Sequence, residues 1–171
     1  WLADDLAPYS AELTRIVLRD TTEGAWVAIK DPRTCRLLPW WLSVLKEAGI
    51  APVFLFALRR PAEGYKSLEK RDGFSADQAY LLWCQHYLEA EQWSRGHPRA
   101  ALEFGAFLET PADEMQRVED ALGIRFPRSV EQASEDLAAF ISPSLRHHAA
   151  GVTTQSASRI EALANAVFDA L

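Results

Sequence analysis

The chain has 171 residues, of which 49% are hydrophobic and 25% are charged. These proportions exclude an intrinsically disordered chain, which needs few apolar residues and a high net charge. Lys and Arg together number 18 and Asp and Glu number 24, which gives a net charge of −6. This acidic balance argues against a broad nucleic-acid-binding face, although a local cation could still hold a small anion.

Two cysteines, Cys35 and Cys84, form neither a disulfide framework nor a zinc-binding pattern. No apolar run approaches the roughly 18 residues of a membrane span, and no signal peptide is visible. We therefore expect a cytoplasmic protein with reduced, packed cysteines and no membrane span. The length predicts one domain over residues 1–171.

Three short apolar runs predict strands, at residues 26–29, 52–58 and 99–104. The run at 52–58 lacks alternation, which is typical of a strand covered on both faces in a parallel sheet. A helix at 37–48, with Pro39 in its first turn, would join the first two strands into a strand–helix–strand unit.

Apolar spacing and end signals predict helices in the rest of the chain. Pro61 suits a first helical position, Ser75 a cap, and Gly96 and Gly123 the residues that follow helices. The predicted helices, besides 37–48, cover residues 6–18, 61–71, about 76–95, 111–122, 129–140 and 156–171. The predicted fold class is α/β, with helices in excess and three strands at most.

Cations follow the predicted second strand, where Leu58-Arg59-Arg60-Pro61 leads into a helix that carries Ser67. In open α/β sheets, ligands bind beyond the carboxyl ends of the strands, and a helix N-terminus there favours an anion. Arg59 and Arg60 could hold phosphate bidentately. The alternative is a solvated rim, with Ser67 facing water.

The predicted first strand ends in a similar way, in Ile29-Lys30-Asp31-Pro32-Arg33. Pairing of adjacent parallel strands would bring Lys30 near Arg59, where an ammonium group could stabilise a phosphoryl or sulfuryl oxygen. The alternative is a surface ion pair between Asp31 and Lys30 or Arg33, which contributes little to stability. The two strand ends together favour an anion site.

Four stretches of the chain, taken in order, resemble the bacterial branch of the sulfotransferases that use 3′-phosphoadenosine 5′-phosphosulfate (PAPS). They read IKDPRTCRLLPWW, LRRPAEGYKSLEKRDGF, AYLLWCQHYLEAE and RAALEFGAFLETP. A fainter match is FISPSLRHH near residue 140. The resemblance implies a P-loop-NTPase-like three-layer sandwich and sulfuryl transfer from PAPS, without a metal, to a hydroxyl or amine of a small-molecule or carbohydrate acceptor.

When the family's functional residues are matched to this sequence, the resemblance implies that Arg59 and Ser67 bind the 3′-phosphate of PAPS. It places Lys30 near the transferred sulfuryl group and Arg33 near the acceptor or cofactor. His147 and His148 belong to a stretch that could close over the nucleotide or form a basic turn.

The sequence departs from the family at several points. It has no loop for the 5′-phosphosulfate, so we expect an N-terminal segment or partner chain to supply one and the chain alone to be inactive. This would also account for the start at Trp1 and the small sheet. Pro32 stands where some relatives have a catalytic histidine, and Gly105 and Ala106 where acidic residues are usual.

The general base is therefore not identified, because Asp31 beside two cations should have a low pKa. There are two alternative functions. The chain could be a truncated or degenerate homologue that binds a nucleotide or acts as a scaffold. A nucleotide kinase would need a GxxxxGK[ST] loop, which the sequence lacks.

Overall fold

A computed structural model describes residues 3–21, 26–141 and 158–171. The elements in these ranges are α1 (Ala3–Asp20), α2 (Thr34–Glu47), β1 (Phe54–Leu58), α3 (Pro61–Asp72), α4 (Ala76–Ser94), β2 (Arg99–Glu103), α5 (Phe104–Glu109), α6 (Pro111–Leu122), α7 (Ser134–Phe140) and α8 (Arg159–Ala170). The fold is of the predicted α/β class, rich in helices, with a small two-stranded parallel sheet flanked by helices.

The two strands of the sheet pair in parallel, with Phe54 opposite Arg99 and Leu58 opposite Glu103. They confirm the predicted strands at 52–58 and 99–104, each of which is somewhat shorter in the structure. The expectation that the first of these strands is covered on both faces is wrong, because Leu55 and Ala57 on one face of β1 are exposed. Helices α3 and α4 connect them. Since parallel strands end at the same edge, the residues after Leu58 and after Glu103 come together there.

The prediction of a strand at residues 26–29 is wrong. The segment has no strand conformation, and Trp26, Val27 and Ile29 are 47%, 45% and 45% exposed. A strand satisfies its backbone groups on a neighbouring strand, and no described residue pairs with this segment in that way. The predicted strand–helix–strand unit over residues 26–58 is therefore not formed, and the parallel connection runs from β1 to β2 instead.

Local signals fixed most of the helix boundaries. Pro61 and Pro111 begin their helices, and Gly73 and Gly123 follow theirs with positive φ angles of 70° and 67°. Ser75 caps α4 through a capping box, in which its hydroxyl accepts from the Gln78 backbone and the Gln78 side chain accepts from the Ser75 backbone.

Two helix predictions need correction. Pro39 is the sixth residue of α2 and not in its first turn, because Asp31 accepts from the backbone N–H of Arg33 and of Thr34 and so starts the helix early. The predicted helix at 129–140 is helical only from Ser134, and the residues before it form turns. Residues 156 and 157 of the predicted last helix lie outside the described ranges.

Two apolar clusters hold the elements together. The first joins α3, α4 and α8 around the buried residues Tyr80, Trp83, Cys84 and Ala164. The second joins β2 to α6 around Ala100, Val118 and Leu122. Helix α2 packs against α4, where Arg36 forms an ion pair with Glu89 at 3.4 Å. Helix α1 packs on α2, where Trp40 donates its indole N–H to Ser10 at 2.8 Å.

Candidate functional site

The carboxyl edge of the sheet brings together four side chains of three chemical types. Arg59 and Arg60 follow the last residue of β1 and lead into α3 at Pro61. Glu103 ends β2 opposite Leu58, and Phe104 follows it as the first residue of α5. Two cations thus lie across from a carboxylate and an aromatic ring.

Arg60 is neutralised at this edge. Its Nε lies 3.2 Å from Oε1 of Glu103, and its guanidinium carbon lies 5.2 Å from the ring centroid of Phe168. The charge of Arg60 is therefore already balanced by a carboxylate before any ligand arrives.

Arg59 has a different environment. Its guanidinium carbon lies 4.2 Å from the ring centroid of Phe104, within the range of a cation–π interaction. The residue is exposed, and it forms no ion pair with a carboxylate of the described residues. A ring orients the guanidinium without cancelling its charge, so Arg59 keeps both its charge and its N–H donors for an anion.

Helix α4 holds the backbone that carries Arg59. The indole N–H of Trp83 donates to the carbonyl of Arg59 at 3.1 Å, and the hydroxyl of Tyr87 donates to the carbonyl of Ala57 at 2.6 Å. The two rings lie 4.3 Å apart, and Trp83 is buried. Burial raises the pKa of the Tyr87 hydroxyl above its ordinary value.

Ser67 lies on α3, about 9 Å along the helix axis from Pro61 at the usual rise of 1.5 Å per residue. It is half-buried, and its hydroxyl has no hydrogen-bond partner among the described residues. An anion that uses Arg59 and Ser67 together therefore has to lie beside α3, between the two residues, and not at the helix start alone.

The first predicted site region is arranged differently. Lys30 is exposed, and strand pairing does not bring it beside Arg59, since residues 26–30 form no strand. Arg33 donates from Nε and Nη2 to the carboxylate of Asp31 at 2.9 and 2.8 Å. Its charge is thereby paired in the way the ion-pair alternative predicted.

Asp31 is a poor candidate for a general base, as the sequence predicted. The side chain and backbone N–H groups of Arg33 hold the pKa of the Asp31 carboxyl well below its ordinary value, with a smaller contribution from Lys30. Asp31 also accepts the Arg33 backbone N–H at 2.8 Å at the start of α2. Its role in the structure is therefore to start a helix and hold Arg33.

Sequence analysis missed four of the residues that shape the Arg59 site, namely Trp83, Tyr87, Glu103 and Phe104. Trp83 was expected only to pack in the core or at its rim. The pairing of Leu58 with Glu103 is the signal that could have found the other side of the site, because it sets the residues after both strands side by side. The predicted stretch with His147 and His148 lies outside the described residues.

Other features of the described chain lie apart from Arg59. A cavity of about 180 Å³ opens near the amino end of β2, where Arg99 is paired with Glu91 at 3.2 Å. Within the described ranges, no cluster of three His, Cys, Asp or Glu side chains could hold a metal ion. None of the helices described is both long and apolar enough to cross a membrane.

Comparisons with protein-family models, with curated proteins and with solved structures found no match.

Proposed function

We propose that this chain binds the 3′-phosphate of PAPS through Arg59 and Ser67, as half of the donor site of a sulfotransferase. The observation that carries this proposal is the contrast between two consecutive arginines. Glu103 neutralises Arg60, whereas Arg59 lies on the Phe104 ring with its charge unbalanced by any described carboxylate. An arginine with free donors at the carboxyl end of a parallel strand is suited to a phosphate.

The spacing along α3 supports a phosphate that lies beside the helix. Arg59 and Ser67 lie at opposite ends of about two helical turns, and the Ser67 hydroxyl is free to donate or accept. A 3′-phosphate that lies beside the helix, between the two residues, would contact both. The guanidinium would hold the phosphate through paired hydrogen bonds, while the hydroxyl would contribute one more.

The proposed reaction transfers a sulfuryl group from PAPS to an acceptor hydroxyl or amine. The bond between sulfur and the bridging phosphate oxygen breaks, a bond from the acceptor atom to sulfur forms, and the acceptor's proton passes to a base. Negative charge builds on the leaving phosphate oxygen, and Lys30 is proposed to stabilise it. Lys30 is exposed and lies shortly before α2, a helix that packs on the same α4 that holds Arg59.

The second candidate is a protein that binds the nucleotide without catalysis. The environment of Arg33 favours it, because this cation is bound to Asp31 and not available to an acceptor or cofactor. The poor basicity of Asp31 favours it as well. Both candidates share the Arg59 site, so a binding experiment tests that site and a turnover experiment separates the two.

The first test is calorimetric titration of the chain with adenosine 3′,5′-bisphosphate, with AMP as the control lacking the 3′-phosphate. We expect the bisphosphate to bind more tightly than AMP. Arg59→Ala should weaken its binding by at least tenfold, or about 1.4 kcal/mol. Arg60→Ala is the matched control and should have a smaller effect, because Arg60 is already neutralised. Unchanged affinity in Arg59→Ala would refute the proposed site.

The second test is turnover of labelled PAPS with a panel of carbohydrate and small-molecule acceptors. Since the sequence contains no phosphosulfate-binding loop, we expect the chain by itself to form no sulfated product. Addition of a segment or partner that supplies the loop should produce turnover that Lys30→Ala abolishes. Bisphosphate binding with no turnover under any of these conditions would favour the non-catalytic candidate.

A further inference from the structure

The register of the sheet places Phe104 beside Arg59. Leu58 pairs with Glu103, and Arg59 and Phe104 are the next residue of each strand end. Phe104 begins α5 and is half-buried at the edge of the sheet. The guanidinium carbon of Arg59 lies 4.2 Å from the centroid of that ring.

Glu103 and Phe104 give the two arginines different partners at the edge of the sheet. Successive residues of a strand point to opposite faces, and the two residues that follow β1 contact different partners. Glu103 forms an ion pair with Arg60 and balances its charge, while Phe104 contacts Arg59 through its ring and leaves the charge of Arg59 unbalanced. The difference between one available cation and one neutralised cation is thus set by two adjacent residues of the partner strand end.

We propose that Phe104 is a positioning residue that holds Arg59 ready for an anion, an inference that rests on the proposed function of the Arg59 site. A ring attracts the flat face of a guanidinium, whereas the N–H donors point outward in the plane of the group. The ring and a phosphate therefore use different parts of Arg59 and do not compete. Holding the side chain in place also reduces the rotamer freedom that it loses when the anion binds.

The test compares substitutions that keep or remove the ring. Phe104→Leu keeps an apolar side chain and removes the ring, and it should weaken binding of adenosine 3′,5′-bisphosphate about two- to tenfold, because the anion then has to order the released Arg59 side chain itself. Phe104→Tyr keeps the ring and should retain the affinity of the original chain. Phe54→Leu is the matched control, because Phe54 lies at the amino end of β1 and packs on His97 at 5.6 Å. It should leave the affinity unchanged.

A measurement without ligand tests the contact itself. A proton over an aromatic ring has a shifted NMR resonance, so the Arg59 Nε–H signal should move in Phe104→Leu and stay near its original position in Phe104→Tyr and Phe54→Leu. A purely structural role of Phe104 would not produce this pattern. The free energy of unfolding, measured for each variant, identifies any variant whose lower affinity reflects partial unfolding. For such a variant, the NMR comparison decides whether Phe104 contacts Arg59.

The Arg59→Ala variant separates the failure of this inference from failure of the proposed function. If Arg59→Ala loses binding and Phe104→Leu binds as tightly as the original chain, Phe104 does not position Arg59, while the phosphate site stands. If Arg59→Ala itself binds the bisphosphate normally, the proposed function fails, and the role of Phe104 fails with it.

Discussion

Two turns in this protein have nearly the same sequence pattern and different structures. Residues 29–33 and 58–61 each begin with an apolar residue, continue with charged residues and include a proline, and each precedes a helix. The second turn follows a paired strand, and its first arginine is held on an aromatic ring. The first turn follows an exposed segment that forms no strand, and its arginine is bound to the aspartate two residues before it.

The contrast teaches where the partner of a cation comes from. At the first turn the carboxylate is local, since Asp31 is close enough in sequence to bind Arg33 wherever the segment lies. At the second turn there is no carboxylate between Leu58 and Pro61, so distant elements decide, and they assign Glu103 to Arg60 and Phe104 to Arg59. A carboxylate close in sequence therefore neutralises Arg33, whereas contacts with distant residues leave the charge of Arg59 available.

The largest expected effect comes from releasing the second turn from α4. Trp83→Phe removes the indole N–H that donates to the Arg59 carbonyl and leaves that carbonyl without this partner. We expect the free energy of unfolding, measured with urea, to fall by about 1–3 kcal/mol, and the bisphosphate to bind more weakly. Trp93→Phe, at a tryptophan that is 41% exposed, is the control and should change neither quantity appreciably. Equal losses in both variants would contradict a specific hold on Arg59.

The next effect contrasts the arginines of the two turns directly. Arg33→Ala removes a cation that Asp31 already neutralises, so it should change affinity for adenosine 3′,5′-bisphosphate by less than about twofold. This contrasts with the loss of at least tenfold expected for Arg59→Ala. Calorimetry on both variants under one salt concentration measures the difference. A loss in Arg33→Ala as large as that in Arg59→Ala would mean that the first turn belongs to the site after all.

A smaller effect should appear when the second turn is given a second free cation. Glu103→Gln removes the carboxylate that balances Arg60, and we expect the bisphosphate to bind about two- to fivefold more tightly, the range of a partly exposed ion pair. Glu47→Gln removes the same charge from the far end of α2 and serves as the control. If the two variants gain equally, the effect is one of net charge and not of Arg60.

The smallest effect concerns the pH dependence of the first turn. The Asp31 carboxyl should titrate below the ordinary value of 3.8, because Arg33 donates hydrogen bonds to its charged form. The stability that this pair contributes is present above the ordinary pKa and is lost as the pH falls through the lowered pKa. A ¹³C NMR titration measures this midpoint, which Arg33→Ala should move back toward 3.8. A midpoint at or above 3.8 in the original chain would contradict the pairing.

Most helix boundaries were predictable from local signals. The proline at 61, the serine cap at 75 and the glycine at 123 each act on their own or neighbouring backbone groups, and all three mark helix ends in the structure. Pro39 was misplaced because the helix start depends on a hydrogen-bonding turn at Asp31 that the apolar spacing does not report. The missed signal was also local, since Asp31 accepts backbone N–H groups from residues only two and three positions further along the chain.

The strands were predictable only in part, for a physical reason. Residues 26–29 are as apolar as residues 54–58, yet only the second segment has a neighbour on which its backbone groups can pair. The expected meeting of Lys30 and Arg59 depended on that missing pairing. The same limit explains why Glu103 and Phe104 were not recognised as part of the site, since their position opposite Arg59 follows from register and not from sequence distance.

The α/β class and most helix ends were predictable from the amino-acid sequence, as were a cation-rich turn after the central apolar run and the weak basicity of Asp31, because each depends on residues close together in the chain. Which apolar runs became strands, and which arginine kept its charge available, depended on folding. Strand pairing and the partners of Arg59 and Arg60 both involve residues from distant parts of the chain, so only folding brings them within reach of one another.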